Sequence, residues 1–288
     1  MSNDRQTLFF QFLLNKYHPT DRDEVTQCLS EEIRNTLFES ITTWNDPSVL
    51  LKLPAVKIKN IHYSWFISIL ELYPEHLRPL FAAALPQPAN HRLLARLKAA
   101  PETHIATTLG RQYLLSELVK KLDIDAITPI EHLSPSPLSY LLELSKEQLL
   151  ELIDFLGLYD LAEEVSRIVD KNELKKIYSC LSIKKQHFLR SCLLSKEKVS
   201  VPKLELEKWN GEQEILERTL HKRGLVRLGK GLSGQSSDFI WHILHRMDIG
   251  RSQLLSRYLS SKEDPGITSI MIQGIQTVHN FFKKMGPE

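Results

Sequence analysis

Along the chain, apolar residues recur mostly at three- and four-residue steps. Leu114, Leu115, Leu118 and Leu122 share one helical face, and Leu149, Leu150, Ile153 and Leu156 do the same. Leucine, a strong helix former, far outweighs the β-branched residues. Strand-like alternation is scarce. Its best case, Val49 to Ile61, holds Pro54 and follows Pro47, so it reads as an extended connector. The pattern predicts an all-α, multi-helical fold of short capped helices stacked as an irregular or repeat-like array.

Breakers and caps place the elements. Residues 1–45 predict two helices interrupted near His18-Pro19, with Thr20 or Asp21 as an N-cap. A helix carrying Tyr63, Trp65, Phe66, Ile67, Ile69 and Leu70 runs from Asn60 to before Pro74, where the next begins. Residues 86–92 read as a first linker. Pro129, Pro135 and Pro137, with Ser134 and Ser136, make 128–137 the inter-domain linker. It separates an N-terminal helical domain, 1–127, from a C-terminal one, 138–288. Ser145 and Gln148 fit a capping box opening a helix that Gly157 closes. Short helices follow around 161–169, 173–181 and 184–194, with Asp170 and Ser182 as caps. Residues 198–211 read as irregular. The last block holds helices near 212–223, 237–248, 251–261 and 267–284. Leu-Ser-Lys-Glu occurs at Leu144 and at Leu194 with no fuller identity around it, so it reads as repeated capping chemistry.

Composition narrows the class. The chain is 42% hydrophobic and 25% charged, too apolar for disorder, and 48 of its residues are leucine. The net charge of +2 argues against general nucleic-acid coating. It hides an asymmetry: 143–180 holds nine acidic and five basic residues, and 181–230 holds twelve basic and six acidic. Such a dipole would orient protein partners. No apolar run reaches a membrane-spanning length, and the opening lacks the features of a secretory signal. Cys28, Cys180 and Cys192 are odd in number and far apart, which reads as buried thiols in a reducing cytoplasm.

Several motifs invite chemistry. Gly224 to Lys230 matches six positions of a phosphate-binding loop, but Gly231 stands where Ser or Thr would ligate magnesium. Gly229-Lys-Gly-Leu-Ser-Gly234 spells a dinucleotide pattern, yet a charged helical stretch precedes it instead of a core strand. Residues 224–234 therefore read as an inter-helix loop, with Gly224 closing one helix and Ser236 or Ser237 capping the next. Asp238, His242 and His245 line one helical side and read as a solvated face rather than a metal site. His62 reads as a packed or capping group. No nucleophile elbow or catalytic cysteine context is present. The reading assigns no catalytic residue, cofactor or metal.

The stretch from Ile168 to Ile177, through Ile183 to Ser191 and the Leu189 to Lys196 run, resembles the helical repeats of FliG-type flagellar rotor proteins, over 143–195. The whole-chain layout looks more like the SctK-type accessory proteins of the type III secretion sorting platform, the chlamydial kind among them. The residues behind that resemblance are Phe10, Phe12, Tyr17, His18 and Pro19, the aromatic helix from His62, and the segment Pro74 to Leu85.

The resemblance implies a non-enzymatic cytoplasmic adaptor. It would link a membrane ring to the cytoplasmic sorting complex, and would meet the inner face of the inner membrane through that complex. Its partners would be secretion-apparatus proteins, met through surfaces. Tyr63, Trp65, Phe66 and Trp241 are the aromatic candidates for contact, and Lys184, Lys185 and Arg190 the basic ones. Three rivals remain: a secretion chaperone or gatekeeper-like regulator, a helical-repeat nucleic-acid binder using 181–230, and an enzyme built on the glycine-rich stretch.

Overall fold

The computed structural model describes residues 54–99, 107–194, 209–259 and 265–285, with scattered positions between 14 and 34 and at 204 and 206. In chain order the helices are α1 (Arg22–Thr26), α2 (Pro54–Ile58), α3 (Ser64–Leu70), α4 (Arg78–Ala84), α5 (Ala89–Arg96), α6 (Thr108–Lys121), α7 (Lys146–Val165), α8 (Lys171–Ser179), α9 (Ile183–Leu194), α10 (Gln213–Leu232), α11 (Ser237–Arg246), α12 (Ile249–Ser256) and α13 (Pro265–Met285). Short 3-10 turns lie at Ile124–Ala126, Ile130–His132 and Ser139–Leu142. Among the described residues there is no strand, so the fold is all-α.

The chain forms two compact units. One comprises 1–59 and 70–124, and the other 60–69 and 125–288. Residues 128–137, read as a linker, fall inside the second.

In the first unit, α6 packs on α2 and α4, and α4 on α5. Its core holds Ile58, Phe81, Leu85, Leu93, Leu115, Leu118 and Val119. Thr107 caps α6 by accepting from the Gly110 N–H at 3.1 Å. Arg111 Nε donates to the Ala84 carbonyl at 2.8 Å, satisfying a carbonyl at the end of α4. Two readings change here. Pro54–Ile58 is helical, because Pro54 is tolerated at a helix start, although 49–53 lie outside the described residues. The 86–92 linker runs into α5.

The second unit is built on two 20-residue helices, α7 and α10. Two polar pairs between them share one offset. Asp154 meets His221 and Asp160 meets Arg227, each pair 67 positions apart. Gly157 and Gly224 hold the same register, and they explain the close approach. A methyl group on Gly157 would overlap the Leu220 carbonyl, and one on Gly224 would overlap that of Ile153. The contact is reciprocal, as across a two-fold axis.

That register extends to a whole motif. Each long helix is followed by two shorter ones, α8 and α9 in repeat A (145–194) and α11 and α12 in repeat B (212–259). From the second helix onward the offset is one position shorter. Asp170 and Ser236 cap α8 and α11, and Ser182 and Asp248 cap α9 and α12. Fully buried Ile177 matches Ile243, and Leu189 matches Leu255. Gln186 Nε2 donates to the carbonyl of Tyr178 at 2.9 Å, and Ser252 Oγ to that of Leu244 at 2.5 Å, each eight residues back. Leu181 N–H bonds Tyr178 O, and Met247 N–H bonds Leu244 O. Agreement in caps, core positions and side-chain bonds identifies an internal duplication. It pairs 145 with 212, not the two Leu-Ser-Lys-Glu copies. α13 then packs on α7 and α10.

The glycines correct two sequence expectations. α7 does not end at Gly157 but runs to Val165, and 224–232 is not a loop but the last turns of α10. These glycines remove side chains where helices touch. A methyl group on Gly229 would sit 2.8 Å from Tyr258 Cβ. Glycine in a helix interior costs about 1 kcal/mol, and the close packing works against that cost.

Candidate interaction surface

Four candidate aromatics lie in the second unit, at a junction between 60–69 and the α11–α12 turn. The segment arrives with donors facing acceptors. The His62 N–H donates to the His245 carbonyl at 2.7 Å. Trp65 Nε1 donates to the Met247 carbonyl at 2.9 Å. The Ile249 N–H, at the start of α12, donates to Ser64 Oγ at 3.1 Å. The Ser64 N–H donates to His62 Nδ1 at 3.2 Å, which makes that nitrogen the bare one. His62 is buried here, as a packed residue.

His245 is the centre of the junction. Trp65 stacks on it at 4.0 Å and Trp241 at 3.8 Å. Its Nδ1 donates to the Trp241 carbonyl at 2.9 Å, so the hydrogen of the neutral ring sits there. Burial lowers its pKa, and the neighbouring His242 pushes the same way against the Trp241 hydrogen bond. Phe66 is fully buried, and Tyr63, Trp65 and Trp241 are half-buried. Each is already engaged within the unit.

The Asp238, His242, His245 row is therefore not a solvated face. Asp238 accepts from both the Thr128 N–H, at 3.1 Å, and its hydroxyl, at 2.5 Å. Those bonds hold its carboxyl below the usual range. His242 Nε2 donates to the Thr128 carbonyl at 2.9 Å. Ser136 Oγ donates to Gln235 at 2.6 Å. Polar residues at this spacing looked exposed because the segments that cover them lie over one hundred positions away.

The basic candidates divide. Lys184 pairs with Glu151 at 2.8 Å and Lys185 with Asp154 at 3.2 Å. Arg190 is exposed. Lys185 belongs to a chain of charges across the duplication. Asp154 Oδ1 lies 2.7 Å from His221 Nδ1, and Arg251 Nε donates to His221 Nε2 at 2.9 Å. A guanidinium only donates, so Nε2 accepts and Nδ1 carries the hydrogen toward Asp154. Arg251 also pairs with Asp248. Lys185 and Arg251 are equivalent residues, each bound to its own repeat's long helix. Burial works against the Asp154 charge, but His221 and Lys185 hold its carboxyl below the ordinary range.

Deeper in, Arg227 Nε donates to Asp160 Oδ1 at 2.6 Å, and Arg223 lies 3.9 Å from Oδ2. Here burial prevails over Arg227, and the Asp160 carboxyl is raised. Cys192 is buried, its thiol pushed up to about 12 by burial. Cys180 is also a free thiol, and Cys28 lies outside the described residues. Lys184, Lys185, Arg223 and Arg227 of the basic stretch thus meet acidic residues of 143–180.

Sequence reasoning singled out the two tryptophans without their partner His245, and Lys185 without Asp154, His221 and Arg251. The matching glycines at 157 and 224 were the signal that could have paired the helices. Among the described residues no cluster of His, Cys, Asp and Glu is placed to hold a metal, and no helix is long and apolar enough to cross a membrane. No family model, curated protein or solved structure matches the chain.

Proposed function

We propose that this chain is a non-enzymatic cytoplasmic adaptor that binds protein partners in a bacterial type III secretion or flagellar-like assembly, between a membrane ring and the sorting complex. The observation that carries the reading is the closed Asp154–His221–Arg251 chain. An aspartate–histidine pair could serve a nucleophile as general base only through a bare Nε2 open to it. At His221 that nitrogen accepts from Arg251 Nε at 2.9 Å, so the pair joins α7, α10 and α12 as a brace. The same holds for Lys184 and Lys185, which brace α9 to α7. Charged side chains used in this way leave recognition to the helix faces. The likeness of 143–195 to rotor-protein repeats adds the kind of assembly.

The test is isolation of the tagged full chain from its native cells after chemical cross-linking. Membrane-ring and sorting-complex proteins recovered together support the reading. A single secreted protein in a one-to-one complex favours the chaperone instead. Generic DNA or RNA binding that falls steeply with salt favours the nucleic-acid rival.

A further inference from the structure

The duplication allows each surface of repeat B to be compared with its counterpart in repeat A. In repeat B the α11–α12 face is covered by 62–66 and by 128–136. The covered positions Gln235, Asp238, Trp241, His242, His245 and Ile249 correspond to Val169, Asn172, Lys175, Lys176, Ser179 and Ile183. All six counterparts are exposed. Val169 and Ile183 are 92% and 75% exposed. Ile183 opens α9 beside its cap Ser182, as Ile249 opens α12 beside Asp248, and the Ile249 N–H is the group that Ser64 engages. Repeat A therefore presents the architecture that repeat B uses to seat a short segment.

The chemistry of the two faces differs in a way that specifies the occupant. Where Trp65 and Trp241 both stack on His245, repeat A offers Ser179 in place of His245 and Lys175 in place of Trp241. Where His242 meets Thr128, it offers Lys176. Two adjacent exposed cations in place of an aromatic stack select carboxylates over an indole. We propose that the α8–α9 face of repeat A is a docking surface for an acidic peptide segment of a partner protein. The segment would enter as 62–66 does on repeat B, as a turn opening into a helix, and seat an aliphatic side chain on Ile183, with a carboxylate over Lys175 and Lys176. This goes beyond the adaptor reading and does not rest on it.

The probe is a synthetic peptide of residues 61–70 carrying Trp65→Glu, added to the full chain and followed by backbone amide shifts. At about 1 mM peptide, shifts and added protection are expected over 172–186, with 238–252 unchanged. The unmodified peptide should bind repeat A at least about five-fold more weakly. Raising salt from about 0.05 to about 0.5 M should weaken the acidic peptide's binding. Ile183→Asp, and separately the charge-reversing pair Lys175→Glu with Lys176→Glu, should each abolish it. Both sites are exposed, and an unchanged helical spectrum checks that each variant folds. No shifts over 172–186 at that concentration would overturn the proposal. So would shifts confined to 238–252, or binding that survives both variants.

Discussion

Repeats A and B share one backbone plan yet meet across their axis with opposite chemistry. Positions 154 and 221 are equivalent, as are 160 and 227, and each residue faces its own counterpart. In an unmodified copy these would be like residues in contact, two aspartates or two arginines, and like charges repel. The two repeats instead set an aspartate against a histidine and another against an arginine. The glycines at 157 and 224 stayed the same, because a reciprocal backbone contact makes the same steric demand on both sides. At these three equivalent pairs the residues match where the contact is steric and differ where it is charged.

The strongest way to break this contrast is Arg227→Met. It strands the buried Asp160 carboxylate and should cost about 3–5 kcal/mol, read from urea unfolding. Pairing it with Asp160→Leu should recover most of that loss. If the double variant is no better than the single one, the opposition of charges is not what matters there. Next comes the shared glycine. Gly224→Ala and Gly157→Ala should each destabilise by about 2–3 kcal/mol, since the neighbouring backbone must move. Nearly equal losses would support the reciprocal geometry, and a harmless change at either position would refute it.

The two aspartates should also respond oppositely to acid. The folded-state pKa of Asp154 is lowered, so its contribution is present above the ordinary carboxylate value and is lost as pH falls through the folded one. That of Asp160 is raised. The folded chain then takes its proton more readily than the unfolded chain, and its contribution diminishes as pH rises from the ordinary value through the raised one. Asp154→Asn should therefore flatten the acid-side loss of stability, and Asp160→Asn should steepen it. Melting curves between about pH 5 and about pH 3 decide, and slopes that change in the same direction would contradict the assignment. The smallest effect is Lys185→Ala, at most about 1 kcal/mol for a pair on the water side, since its Asp154 partner is 30% exposed.

Much of the fold was legible because its causes are local. Leucine spacing gave the helices, Ser145 and Gln148 form the expected capping box, and Asp170 caps α8. Glycine was misread because its common local meaning, ending a helix, differs from its meaning at a crossing, where the partner is distant in sequence. The candidate surface was less legible for the same reason. Trp65 and Trp241 stand out in the sequence as aromatics, but the ring that joins them belongs to His245, read as exposed. The duplication escaped notice because its copies share caps and buried positions more than identities.

Residues 60–69 belong to the second unit, while 1–59 and 70–124 belong to the first. No single cut of the chain can therefore yield either unit complete. A fragment beginning at 125 would lose the segment that seats Trp65 on His245, leaving Trp241 and the Met247 carbonyl bare and the piece prone to aggregate. A fragment ending at 124 would carry Phe66 away from the unit it belongs to. Dissection of this molecule will require supplying 60–69 in trans or rejoining it through a circular permutation.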